Sequence, residues 1–168
     1  MQISVPDEYP WILLGLVMIE TLCMVTGFTT CIKARKQHFN EQFLKEAGEK
    51  LKIKDAEKEY KLGFPDAGSG VFSHLLPYKQ WSELNQSLRI HANLVEHLPL
   101  ITTLLLVAGL AYPRLTLCLE VVYLVLRIVY RIAYATGANL RLIGAVPIML
   151  MTNGLALTSM YFCYTSAA

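Results

Sequence analysis

The stretch "LITTLLLVAGLA", Leu100–Ala111, decides the fold class, because twelve consecutive residues without a charge are suited to lipid. Three other blocks share this character, and the four predicted helices cover residues 10–32, 88–111, 115–136 and 142–164. Each has about the 20 residues that a helix needs to cross the hydrocarbon. The blocks lack the period-two alternation of barrel strands. The sequence therefore predicts an all-α integral membrane protein, a four-transmembrane-helix bundle with up-down topology in a single domain.

The charged residues are concentrated between the first two predicted helices. Of the 168 residues, 54% are hydrophobic and 17% are charged, whereas a soluble domain has about 25% charged residues. Ten of the fifteen Lys and Arg fall between residues 33 and 79. By the positive-inside tendency, the excursion at about 33–85 is cytosolic and both termini lie on the other side. Seven acidic residues between 41 and 66 offset the positive charge of this excursion, so we expect no nucleic-acid binding.

The excursion contains the charged stretch "NEQFLKEAGEKLKIKDAEKEYKL", which begins at Asn40. The abundance of Lys and Glu predicts one solvated helix at the cytosolic face. The following "GFPDAGSG" contains Gly and Pro, which end it. At the other end of the chain, "TGAN" predicts that the third membrane helix stops with Gly137 or Asn139 in the left-handed conformation.

A first set of polar side chains stands where the second helix enters the membrane. At about 100° per residue, Arg89, Asn93 and Glu96 fall on one face, and His91 points away from it. Charged residues at membrane depth are costly to insert, so they need either partners or a function.

A second polar set recurs along the third helix at spacings of 4, 3, 4 and 7 residues. It consists of Tyr123, Arg127, Tyr130, Tyr134 and Arg141. If the helix continues to Arg141, these residues form one stripe of two guanidiniums and three phenols. Glu120 and Arg131 are predicted to lie away from the centre of this stripe.

Two interpretations of these charges remain open at this point. In the structural one, Arg127 neutralises Glu96 or Glu120 in a buried pair, and the tyrosines are interfacial anchors. In the functional one, the residues line a cationic cleft for a small anion whose carboxylates take bidentate bonds from Arg. The His and Cys residues show no ligand spacing, so we expect no metal site.

Three motifs give the chain a family resemblance. The pattern R-x-H-x-N-x-x-E-x-x-P, from Arg89 to Pro99, resembles the second-helix signature of the MAPEG family of membrane proteins in eicosanoid and glutathione metabolism. The stretch "KARK", Lys33–Lys36, resembles the end of that family's first helix. "AYPRL" with "RIVYRIAYATG" resembles the third helix of its type 3 microsomal glutathione transferase branch.

The resemblance implies a homotrimer that holds glutathione, as co-substrate, between neighbouring subunits at the cytosolic side. It assigns to Arg141 the activation of the thiol, which attacks a lipophilic second substrate that arrives from the membrane lipid. It implies the endoplasmic reticulum as location, with a mitochondrial membrane as the alternative. The residues that it assigns to glutathione binding are Arg35, Arg89, His91, Asn93, Glu96, Arg127, Tyr130 and Tyr134.

We therefore expect a glutathione transferase or glutathione-dependent peroxidase that acts on lipophilic electrophiles or lipid hydroperoxides. Two alternatives remain. One is a non-catalytic subunit or scaffold of a larger membrane complex, which would bind its partners through residues 40–78. The other is a lipid-presenting protein without catalytic activity, as one member of the resembled family is.

Overall fold

The computed structural model describes residues 5–167, with side chains for 5–166, and these residues form helices and loops without any strand. The α-helices are α1 Tyr9–Thr26, α2 Lys33–His38, α3 Glu41–Leu51, α4 Ala56–Glu59, α5 Tyr78–Ala111, α6 Pro113–Thr136 and α7 Leu142–Ala167. A π-helical segment, Gly27–Ile32, joins α1 to α2 without a break. Short 3-10 helices cover Ser73–Leu75 and Ala138–Arg141.

Three described segments are long and apolar enough to cross a membrane: Tyr9–His38, Tyr78–Ala111 and Ala138–Ser166. The first two extend beyond the predicted ranges, because α2 continues the first helix to His38 and α5 begins ten residues before position 88. Helix α6 is not among the three, because Glu120, Arg127 and Arg131 interrupt its apolar sequence. A fourth span through α6 stays a prediction.

The chain divides into two compact units. The bundle unit comprises Met1–Cys23 and Asn93–Ala168, of which residues 5–23 and 93–167 are described. The excursion unit comprises Met24–Ala92. Helix α5 contributes to both units.

In the bundle unit, α5 and α6 are connected by a single residue, Tyr112. Pro113 takes the first position of α6, where its missing N–H leaves no helical bond unmade. The Arg114 Nε donates to Glu8 Oε1 at 3.0 Å and so links the start of α6 to the segment before α1. On the helix pair α5 and α7, the Ser159 hydroxyl donates to the Leu104 carbonyl at 3.4 Å.

The excursion unit has its own hydrophobic core, and this corrects the prediction of one solvated helix. Helices α3 and α4 are separate, because the chain turns through Lys52 and Asp55, both with positive φ. Asn40 caps α3 by accepting from the Phe43 amide at 3.0 Å. Leu44 of α3 is 1% exposed, and it belongs to a core whose other large members are Phe39, Phe72, Leu76 and Leu84.

The end of α6 also differs from the prediction. Gly137 has φ −173° and ψ 141°, which is extended backbone rather than the left-handed conformation. Because α6 ends at Thr136, Arg141 lies in the following 3-10 helix and not on the stripe of α6.

Candidate functional site

Helix α6 buries one continuous face in the bundle unit. Its buried residues are spaced by 4, 3, 4, 3 and 4 positions, which keeps them on one side of the helix. They are Thr116, Glu120, Tyr123, Arg127, Tyr130 and Tyr134. The predicted stripe is therefore present on α6, and Glu120 belongs to it. Glu120 is only 2% exposed, which corrects the prediction that placed it away from the stripe's centre.

Arg127 is the most deeply buried cation that the sequence singled out, with 4% of its surface exposed. Its Nη1 donates to Oδ1 of Asn93 on α5 at 2.7 Å. Its guanidinium carbon lies 4.9 Å from the ring centroid of Tyr123. Within the described residues, its Nε and Nη2 have no hydrogen-bond partner. Two donors of this buried guanidinium are thus unpaired within the described chain.

Arg141 lies beyond the end of α6, but its side chain contacts Tyr134 on the buried face of that helix. Its Nη1 donates to the Tyr134 hydroxyl at 3.4 Å, and its guanidinium carbon lies 5.5 Å from the centroid of that ring. The rings of Tyr134 and Tyr130 meet edge to face at 5.7 Å. Arg141 itself is exposed in the 3-10 helix that follows α6.

Beside this cluster, α5 presents Glu96 and His97. Glu96 is exposed, and His97 is half-buried with no hydrogen-bond partner for Nδ1 among the described residues. His97 follows Glu96 on α5 and lies four residues after Asn93, which binds Arg127. The sequence interpretation did not select it, although its four-residue spacing from Asn93 places both residues on one side of α5.

The other three predicted binding residues belong to the excursion unit. The guanidinium carbon of Arg35 lies 3.8 Å from the centroid of the Phe64 ring, and its Nε is buried without a partner in the described chain. His91 faces Gly27, where an added Cβ would be 3.0 Å from Nε2. Arg89 is exposed on α5.

Two cavities of the excursion unit flank α3, with volumes of about 350 Å³ and 710 Å³. His38, Glu46 and Lys50 are among the residues that line the smaller one, and Lys36, Lys58 and Lys61 among those that line the larger one. Neither cavity is lined by a predicted glutathione-binding residue. Across residues 5–167, no group of three or more His, Cys, Asp or Glu could hold a metal ion.

A family model described as the MAPEG family matches residues 50–161, about two thirds of the 168-residue chain. The chain belongs to the MAPEG family. Searches of curated proteins and of solved structures gave no match. Family membership together with the three long apolar segments makes this MAPEG protein an integral membrane protein.

The family match covers eight of the nine predicted site residues, from Arg89 to Arg141, and leaves Arg35 outside. The MAPEG family includes glutathione transferases and related proteins, and it also includes members that are not enzymes. The family thus limits the chemistry of this MAPEG protein without assigning its reaction.

Proposed function

We propose that this MAPEG protein is a glutathione transferase or glutathione-dependent peroxidase that acts on lipophilic electrophiles or lipid hydroperoxides. The observation that carries the proposal is the buried Arg127, which Asn93 holds at 2.7 Å while Nε and Nη2 stay without a partner in the described chain. A guanidinium with two unpaired donors matches a carboxylate, which accepts two parallel N–H bonds.

Glutathione offers two carboxylates, two amides and a thiol. In the bundle unit, Arg127, Asn93 and Glu96 would bind its charged and amide groups, and Tyr130 and Tyr134 would donate hydroxyls. The family resemblance assigns the same tripeptide to Arg35, Arg89 and His91 of the excursion unit. The resemblance also supports a homotrimer, the type 3 branch and a location in the endoplasmic reticulum with the site on the cytosolic side.

Arg141 would stabilise the thiolate of glutathione, whose proton passes to water. A cysteine thiol has a pKa of about 8.5 and is mostly protonated at pH 7, and a nearby fixed cation lowers that pKa. The thiolate sulfur then forms a bond to an electrophilic carbon, and the leaving group departs with its electron pair. With a hydroperoxide, the sulfur takes the terminal oxygen and releases an alcohol, and a second glutathione converts the sulfenic acid to disulfide and water.

The first prediction concerns Arg141→Ala in purified protein supplied with glutathione and 1-chloro-2,4-dinitrobenzene or a lipid hydroperoxide. We expect kcat/KM at pH 7 to fall by about 10-fold or more, because each unit of thiol pKa is about tenfold in equilibrium. The deficit should shrink toward pH 9, where glutathione ionises without help. The measurement is the pH profile of kcat/KM.

Arg114→Ala is the matched control, because Arg114 is an exposed arginine of α6 that pairs with Glu8. It should keep the wild-type profile. Equal activity of Arg141→Ala and wild type across the pH range would contradict the role given to Arg141. Absence of any turnover in the wild type would contradict the enzymatic proposal as a whole.

The second prediction separates binding from catalysis. Glutathione at 100 times its Kd should stabilise the folded protein by about 2.7 kcal/mol, because a ligand of the native state alone contributes RT ln(1 + [L]/Kd). Thermal unfolding in detergent measures this, and Arg127→Leu should abolish the shift. A shift that Arg127→Leu leaves unchanged would place glutathione elsewhere.

A non-catalytic subunit is the second candidate, and the cavities on both sides of α3 in the excursion unit favour it. Such a protein would copurify with a stoichiometric partner and would show neither turnover nor stabilisation by glutathione. Native mass spectrometry of protein extracted in mild detergent would detect the partner.

A further inference from the structure

Two polar side chains, Glu20 of α1 and Asn153 of α7, are exposed in the bundle unit on otherwise apolar helix faces. Each lies eleven residues from the nearer end of its helical segment, Tyr9–His38 or Leu142–Ala167. Eleven residues rise about 16 Å, which is about half of the 30 Å hydrocarbon core of a bilayer. Both side chains are therefore near the middle of the membrane.

The polar groups of these two residues have no partner within the described chain, where neither makes a hydrogen bond or an ion pair. Exposed threonines on the same helices behave differently. The hydroxyls of Thr21 on α1 and Thr165 on α7 donate to the carbonyls four residues earlier at 2.7 and 3.0 Å. A single bond to a carbonyl of the same helix satisfies a hydroxyl donor, but a carboxyl or carboxamide group has further polar atoms that need partners. In lipid, such groups almost always face another helix.

The depth of Glu20 follows from the packing of α1 on α5. The Ile12 side chain reaches within 2.5 Å of where a Cβ on Gly109 would stand, so these two residues are level. Helix α1 is parallel to α6 and antiparallel to α5. Glu20, eight residues after Ile12, is therefore about level with Ile101 of α5.

The depth of Asn153 follows from the packing of α7 on α5. The bond from Ser159 to the Leu104 carbonyl sets these two residues level. Helices α5 and α7 run in the same direction, because α6 turns back between them. Asn153, six residues before Ser159, is therefore about level with Leu98, roughly 4.5 Å or less than one turn from the level of Glu20.

We propose that Glu20 of one copy of this chain hydrogen-bonds to Asn153 of a second copy, joining α1 of the first copy to α7 of the second within the bilayer. The two groups are complementary, because a carboxyl group accepts from the N–H of a carboxamide. Their levels differ by roughly 4.5 Å, less than one helical turn, which the two side chains span without displacing either helix along the membrane normal. The inference rests on the homo-oligomer of the proposed function and not on its glutathione chemistry.

The pairing joins α1 of one copy to α7 of the next, so repeating it generates a ring when the rotation closes. A two-fold dimer would instead use the pair twice, with Glu20 of each copy against Asn153 of the other.

Cysteine cross-linking in native membranes tests the pairing. Copies carrying Glu20→Cys with one tag and Asn153→Cys with another are co-expressed in a background in which the exposed Cys118 and Cys163 are serine. Oxidation should give a disulfide dimer that carries both tags. The matched control is Met18→Cys with Asn153→Cys, because Met18 is 53% exposed and two residues away on the opposite side of α1. It should give at least 10-fold less dimer.

Equal cross-linking of the control, or a dimer formed by Glu20→Cys copies alone, would overturn the proposal. A second measurement uses variants that fold readily, because both sites are on the surface of the unit. Glu20→Leu and Asn153→Leu should each raise the dissociation constant of the oligomer in detergent by about 3- to 30-fold, and Glu20→Gln should preserve it. A wild-type protein that is monomeric in the membrane would overturn both the pairing and the proposed oligomer, while the turnover assay still decides the enzymatic proposal.

Discussion

Asp66 holds the loop between α4 and α5 of the excursion unit in place. Its Oδ1 accepts from the Gly68 amide and its Oδ2 from the Ser73 amide, each at 2.9 Å, and the Ser73 hydroxyl donates to Oδ1 as well. The Asn85 side chain fixes the same loop to α5 by donating to the Gly68 carbonyl at 3.0 Å. Burial raises the pKa of Asp66, but the bonds from Ser73, Gly68 and Gly70 outweigh it, so that pKa lies below its ordinary value.

The third prediction is that Asp66→Asn destabilises the excursion unit by about 1–3 kcal/mol at pH 7, because it leaves amide donors unpaired. A lowered pKa stabilises the folded state above the ordinary value of 3.8 and loses that effect as the pH falls through the folded pKa. The difference between wild type and variant should therefore be constant from pH 7 to about 5 and shrink below pH 4. Fluorescence of Trp81 in a Trp11→Phe background reports the unfolding.

Asp55→Asn is the control for this experiment. Asp55 pairs with the exposed Lys58 at 2.7 Å, and its backbone has the positive φ that Asn also tolerates. We expect less than about 1 kcal/mol from it. A pH-independent effect of Asp66→Asn would show that the loop does not depend on the carboxylate.

The buried face of α6 shows which residue positions could be predicted from helical periodicity. Periodicity placed Tyr123, Arg127, Tyr130 and Tyr134 on one side, and α6 buries all four. Glu120 was placed wrongly, although seven residues make about two turns and set it in line with Arg127. Its burial depends on Gly15 of α1, whose missing Cβ leaves room for the carboxyl group. Such a contact between distant segments has no signal in one sequence.

At the scale of the element, helical periodicity is reliable only while the helix keeps 3.6 residues per turn. The π-helical segment Gly27–Ile32 changes the phase between α1 and α2. The face on which Arg35 lies could therefore not be calculated from the residues of α1. The prediction that placed Arg141 on the stripe of α6 was wrong for a related reason, because the extended Gly137 ends the helix before Arg141.

The fourth prediction concerns the packing of α7 on α6. A Cβ on Gly144 would lie 2.7 Å from the Cα of Tyr130, so Gly144→Ala forces two backbones apart. We expect destabilisation by about 1–3 kcal/mol, as for other overpacked cores. Since Tyr130 is a proposed binding residue, affinity for glutathione should weaken as well. Thermal unfolding and a glutathione titration measure the two effects.

Gly154→Ala provides the comparison on the same helix, because a Cβ there meets nothing within 4 Å. It should be neutral or should stabilise by up to about 1 kcal/mol through helix propensity. Similar losses in both variants would mean that the effect does not come from the contact with Tyr130.

At the scale of the whole molecule, the sequence identified the family, and the family match confirmed it. The apolar segments could be predicted from hydropathy. Lipid contains no water to bind the backbone N–H and C=O groups, so a segment that crosses it forms a helix, in which these groups pair with each other. The excursion was harder to predict, because a small core of Leu44, Phe39 and Phe72 is assembled from residues far apart in the chain. The contacts between copies could not be predicted from one sequence either, because they depend on which exposed polar side chains lie at the same depth in the membrane.

The single residue between α5 and α6 has a mechanical consequence. With Tyr112 as the only connection, the ends of the two helices are held close together, so we expect the pair to tilt about that end. Asn93 and Arg127 stand eighteen and fourteen residues from the ends that meet there, on lever arms of about 27 and 21 Å. We expect such a tilt to displace both groups by similar amounts, so that the Asn93 amide stays bound to the Arg127 guanidinium.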